Sequence, residues 1–299
     1  MNTGERKTWR SVLPVIQVAL EVALIVFFIC YAALNWAEIL SVVARLSLVG
    51  LMFCMAAYSA AHFLAVAAAT SLLESLGQAR PYKMLLGIHW RRLPAKYLPG
   101  GIWHTVGRGS DLVGNGVPMR QVAELLTVEQ LLSIWWSGFL GLALAGIAFD
   151  GEVRMVALTL SAVWIAATTL VLGWLWRSPA YARLASAVLR PRVWLSYVGG
   201  WALLASAFTA YLKVGAVTID NPLQVAASYL VSWMLGALAF FAPQGMGVFE
   251  FAMSKAVSGP GGIESGLLWF IGAYRIVVLF ADFSAWCMWL AWRQATRFF

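Results

Sequence analysis

The sequence predicts an all-α, polytopic helical membrane protein with seven or eight crossings and two broken, re-entrant helical elements. Three observations carry that expectation. The 299 residues are 62% hydrophobic and only 11% charged, with a mean hydropathy of +0.78. A soluble domain is about 45–50% apolar and about 25% charged, so this chain has too little polar surface to cover itself in water. Its apolar residues gather into runs near the length of a bilayer-spanning helix, about 20 residues. Between these runs lie two stretches too apolar for surface loops and too rich in glycine and proline for continuous spans.

Taken in order, the first run covers 12–34 and follows Arg6, Lys7 and Arg10. It is long for the apolar part of a signal peptide, and no clean small-x-small cleavage site follows, so it reads as a retained span. Further spans are expected at 46–73, 123–149, 155–176, 194–214, 223–242 and 266–290. The first broken stretch, 77–122, mixes Arg, Lys, Gly and Pro with Met84, Leu85, Ile88, Trp90, Leu98, Ile102 and Trp103. The second, 243–262, carries PQGMGVFE and then SGPGG. Non-helical backbone at membrane depth must be buried in protein or line a polar cavity. Each stretch is therefore expected to be a pair of half-helices meeting at a Pro-Gly turn; the alternative is an interfacial helix followed by a loop. The chain 1–299 reads as one integral membrane domain.

Basic residues set the orientation. Three precede the first span, seven fall in 77–122, and Arg177, Arg183, Arg190 and Arg192 share one loop, whereas Arg45, Arg154 and Lys213 stand alone on the other side. The N-terminus is therefore expected in the cytoplasm, across a bacterial or archaeal cytoplasmic membrane. Seven crossings leave Arg293 and Arg297 outside; a full crossing by 243–262 returns them, although Glu250 and Lys255 at its centre argue against one. Topology and anionic headgroups account for the net charge of +8, including Arg80, Lys83, Arg91, Arg92 and Lys96, so no nucleic-acid partner is inferred. Cys30, Cys54 and Cys287 lie in apolar runs without metal-ligand spacing. No HExxH, nucleophile-elbow or nucleotide-binding motif occurs, so no cofactor, metal or catalytic residue is expected.

Ionisable residues inside spans are costly and therefore informative. Glu129 stands in the third span, Glu250 in the second broken element, Arg275 in the last span and Arg108 at the end of PGGIWHTVGR. Half-helix N-termini offer free amides to an anion, and two arginines add bidentate donors for a phosphate. His104, four residues before Arg108, can share its face. Asp282, seven residues after Arg275, shares that helix face. Gln17, Glu21, His62 and Asp282 read equally as groups that pair and fix helix register, and His89 lies too near the basic loop to assign.

The runs KYLPGGIWHTVGR (96–108) and FFAPQGMGVFE (240–250), with Glu129 and Arg275 in the spans that follow, resemble the lysylphosphatidylglycerol synthase transmembrane-region family, a flippase-like membrane domain. The resemblance runs over nearly the whole chain and rests on the order of the motifs. It implies that Pro99, Gly100, Gly101 and Arg108 form one motif, Pro243, Gly245, Gly247 and Glu250 the second, and Glu129 and Arg275 the accompanying polar positions. It implies re-entrant helices related by an internal repeat, and a lipid or lipid-linked glycan as substrate, supplied by a glycosyltransferase or acyltransferase partner. Two departures matter. Gln244 stands where the second motif commonly has glycine, and no aminoacyl-transfer domain is present in this sequence. The expectation is a translocator of a phosphorylated or polyprenyl-linked lipid, with protonation of Glu129 or Glu250 as a coupling device. The rivals are a membrane-embedded transferase with one of those carboxylates as base, and a non-transporting scaffold.

Overall fold

The computed structural model describes residues 47–97, 102–178, 181–215, 219–239, 242, 245–258 and 265–295. The first expected span, with Gln17 and Glu21, lies outside these residues, as do Pro99, Gly100, Gly101, Pro243 and Gln244. Every regular element among the described residues is helical: α1 (Leu48–Ser75), α2 (Tyr82–Arg92), a 3-10 turn (Leu93–Tyr97), α3 (Trp103–Gly114), α4 (Met119–Ala148), α5 (Gly151–Arg177), α6 (Ala182–Val188), α7 (Pro191–Val214), α8 (Pro222–Leu238), α9 (Val248–Ser258) and α10 (Ser265–Ala295). Five helices are long and apolar enough to cross a membrane: α1, α4, α5, α7 and the Leu267–Gln294 portion of α10. The chain is thus a helical protein of the kind that crosses a membrane several times.

Local chemistry fixes the helix starts. Ser47 caps α1 by accepting from the Gly50 amide at 3.3 Å. Pro191 and Pro222 occupy the first turns of α7 and α8, where a missing amide hydrogen costs nothing. Asn221 caps α8 through the Leu223 amide, and its side-chain nitrogen, with that of Gln224, donates to the Ala148 carbonyl at the end of α4. One pair of amides thereby starts one helix and satisfies the open carbonyl of another.

Small residues draw two antiparallel pairs together. Gly50 of α1 faces Val214 of α7 while Gly199 and Gly200 face Leu64, so the two helices run in opposite directions. Along α4, Gly138 faces Met234 and Gly141 faces Leu230 and Val231 of α8. A Cβ at Gly141 would sit 2.8 Å from Val231 Cγ2 and 3.0 Å from the Val231 backbone nitrogen. Gly141→Ala is therefore expected to push α4 off α8 at a cost of about 1–3 kcal/mol, read as earlier unfolding in a denaturant titration in detergent. α5 sits at the edge: it packs mainly on α4, and Met155, Val163, Leu170 and Trp174 are more than half exposed. Such a surface suits lipid.

Two apolar clusters hold the described bundle. One joins Leu72, Leu73, Leu86, Trp90, Leu112 and Leu125 from α1 to α4. The other is aromatic: Phe208 lies 4.9 Å from both Tyr229 and Tyr274, and Tyr211 stacks on Phe270 at 4.4 Å while donating to its carbonyl.

The first broken stretch is a pair of short helices, as expected, whereas the described part of the second, 243–262, holds one short helix, α9. In 77–122, α2 has 11 residues and α3 has 12, about 16–18 Å each, against a hydrocarbon core of about 30 Å. Arg91 and Arg92 of α2 grip Asp111 of α3 through bonds of 2.6, 2.7 and 2.6 Å, which ties the two half-helices together. The sixth expected span needs correction. The 223–242 run is a 17-residue helix that ends at Leu238. Beyond it α9 has 11 residues, too short to cross the core by itself.

Candidate functional site

The second motif earns its glycines from backbone geometry. Gly245 and Gly247 have φ of +67° and +83°, a left-handed region that a side chain disfavours. Gly245 also lies against the end of α8, where an added Cβ would come within 2.7 Å of three Gly236 backbone atoms. The chain turns there and starts α9, whose Glu250 accepts from the Gly247 amide at 2.7 Å. That is the reciprocal half of a capping box. The other Glu250 oxygen accepts from Arg275 Nε of α10. Both carboxylate oxygens are thus engaged, and the residue is 2% exposed.

The first motif holds a matching pair. Arg108, midway along α3, donates to Glu129 of α4 at 3.0 Å. His104 begins α3, one turn earlier on the same face. Burial, reinforced by Lys96 and Arg108, pushes its imidazole down to about 4, so it is neutral at pH 7. Its Nδ1 is buried without a hydrogen-bond partner among the described residues. Of the expected site residues described, the structure therefore joins Arg108 to Glu129 and Arg275 to Glu250, and the two pairs make no direct bond with each other.

A third group gathers around Asp282, read from sequence as a pairing residue. Asp282 of α10 is 1% exposed. Its Oδ2 accepts from Tyr97 at 2.7 Å and from Lys96 Nζ at 3.1 Å, and its Oδ1 meets His62 Nε2 at 2.9 Å. Lys96 also reaches Tyr58 at 3.1 Å, and His89 Nε2 meets His62 Nδ1 at 3.1 Å. Burial opposes the charge on Lys96, but Asp282, Tyr58 and Tyr97 more than offset this and hold its pKa well above the ordinary lysine range. The grouping of Lys96 with the basic loop is corrected here. The 3-10 turn carries it to the middle of α10. His62 and Asp282 do pin α1 to α10, and His89, unassigned before, extends that link.

Electrostatics connects the three groups. His104 feels both Arg108 and Lys96, and half-buried Tyr58 packs edge-on against His62 at 5.5 Å. Tyr58 and Tyr229 each lie within reach of Lys96 and Arg275. The polar residues of the three groups come from α1, α2, the 3-10 turn, α3, α4, α9 and α10. Among the described residues no three His, Cys, Asp or Glu side chains are placed to hold a metal ion.

The acids and bases differ in exposure. The Glu250 and Asp282 side chains are 2% and 1% exposed, whereas those of Arg275 and Lys96 are 32% and 26%. In both pairs the carboxylate is the deeper partner and the cationic side chain retains partial exposure. No family model, curated protein or solved structure matches the chain.

Proposed function

We propose that the protein is a lipid translocator that accepts an anionic, phosphorylated headgroup between its two broken elements while the lipid tails stay in the bilayer. One observation carries this reading: Lys96 and Arg275, whose side chains retain partial exposure, each pair with a carboxylate that is almost completely buried. A cation in hydrocarbon is costly unless paired, and a buried acid holds it in place. Lys96, Arg108 and Arg275 then present donors to a phosphate, with neutral His104 beside them. The resemblance in motif order suggests the same role, in the cytoplasmic membrane, for a phospholipid or polyprenyl-linked lipid made by a transferase partner. The transferase reading loses ground because Glu250 and Glu129, the proposed bases, already hold Arg275 and Arg108.

The test uses the full chain in sealed liposomes containing fluorescent phosphatidylglycerol and polyprenyl phosphate, with leaflet exchange and chemical conversion both measured. Exchange without a new lipid species is expected. Lys96→Gln keeps a donor for Asp282 but removes the charge, and should slow exchange about tenfold, consistent with losing one charge-assisted contact of about 1.5–3 kcal/mol. A converted lipid with unchanged leaflet distribution defeats the proposal, as does exchange indifferent to both Lys96→Gln and Arg108→Gln.

A further inference from the structure

The hydrogen bonds around Asp282 dictate where protons sit. Lys96 and Tyr97 donate to one oxygen of Asp282, and His62 Nε2 lies 2.9 Å from the other. A carboxylate only accepts, so His62 carries a hydrogen on Nε2, and when the ring is neutral its Nδ1 is an acceptor. That acceptor faces His89 Nε2 at 3.1 Å, which must then be the donor. The chain of donors ends at His89 Nδ1, a lone pair that is buried and has no hydrogen-bond partner among the described residues. An unsatisfied buried acceptor is costly, and one added proton converts it to the end of a relay.

We infer that the His62–His89 pair binds one exchangeable proton beside Asp282, and that this proton is the counter-charge for an anionic headgroup in the hollow. The coupling half rests on the translocator reading above; the proton site does not. Lys96, Arg108 and Arg275 are each already paired with a carboxylate, Asp282, Glu129 and Glu250 respectively. An arriving anion therefore leaves an uncompensated negative charge at low dielectric, where charge is most costly. A proton entering at His89 Nδ1 restores neutrality. The Nε2 hydrogen of His89 can pass to His62 Nδ1, so the positive charge is shared by two rings and lies one bond from the Asp282 carboxylate.

The groups facing the pair come from every element packed on it. α1 brings Tyr58, the 3-10 turn Lys96 and Tyr97, α3 His104 and Arg108, and α10 Asp282, while Arg91 and Arg92 of α2 turn to Asp111. Burial and then the nearby cation Arg108 hold His89 well below the ordinary imidazole range. An anion that offsets Arg108 therefore raises the proton affinity of His89. Glu129 and Glu250, each locked in an ion pair, are poorer carriers.

The chain has three histidines, so ¹⁵N labelling of histidine in the intact protein gives separable signals. In phosphatidylcholine bilayers titrated from pH 8 to 4, His89 should titrate below the ordinary imidazole range, with the His62 signals responding in that same step, and His104 separately. Replacing a third of the lipid with phosphatidylglycerol should shift that joint step upward. Two independent steps, or a His89 Nδ1 that stays unprotonated at pH 4, overturn the proton site. His89→Gln keeps a donor for His62 and removes the basic nitrogen, so it should abolish the joint step while leaving the fold intact. In the liposome assay an inward proton gradient should speed wild-type exchange and leave His89→Gln unaffected. Wild-type exchange indifferent to the gradient overturns the coupling. Absence of any exchange counts against the translocator reading, and the titration still decides the proton site.

Discussion

Arg275→Met should destabilise the protein by about 3–5 kcal/mol, the largest effect of any single charge removal among the described residues. Glu250 is 2% exposed, and one of its oxygens is bonded to Arg275. Removing a partner strands a buried carboxylate, a loss of that order. The Gly247 amide still donates to the other oxygen, but one neutral donor does not replace a guanidinium. Neutralising the acid as well should recover most of the loss, so Glu250→Gln with Arg275→Met is expected to unfold closer to wild type than Arg275→Met does. Denaturant titration of the three variants and wild type in one detergent measures this. Equal stability of Arg275→Met and wild type would show that the pair contributes little.

Gly245→Ala is the second large effect, and its cause is steric. The new Cβ would lie 2.7 Å from Gly236 backbone atoms, at a φ of +67°. A left-handed non-glycine residue costs about 1–2 kcal/mol, and backbone that cannot withdraw adds about 1–3 kcal/mol of overpacking. The same contact is asymmetric from the other side. A Cβ on Gly236 meets its nearest neighbours at 3.4–3.5 Å, ordinary van der Waals contact, and alanine favours helix. Gly236→Ala should therefore match or exceed wild-type stability while Gly245→Ala loses several kcal/mol, in paired thermal-unfolding measurements. Comparable losses in the two variants would contradict this placement of the turn.

The sequence announces the broken elements because glycine, proline and charge within apolar runs have few inexpensive explanations in a bilayer. Arg108, Glu129, Glu250 and Arg275 stand out for the same reason. Their pairing is not legible, since 21 and 25 residues separate the partners and no helical period links residues on different helices. Lys96 is misleading because it follows a run of basic residues that topology already accounts for. Only the 3-10 turn, which packs on α10, reveals its depth. His62 and Asp282 are 220 residues apart, yet a usable signal exists. Each is an isolated polar residue in the middle of an apolar run, and two such residues on different spans are natural partners. The 223–242 span is overestimated because hydropathy continues through Ala239 to Ala242, while Gly245 requires the helix to stop early.

Accessibility of position 104 tests most directly whether an aqueous hollow reaches these cations. With Cys30, Cys54 and Cys287 replaced, His104→Cys in sealed vesicles is exposed to a small, charged, membrane-impermeant thiol reagent. A hollow beside Lys96 and Arg108 predicts rapid modification, slowed when phosphatidylglycerol replaces phosphatidylcholine. A thiol that ignores the charged reagent and reacts only with a lipid-soluble one would place these residues against hydrocarbon, leaving no route for a headgroup.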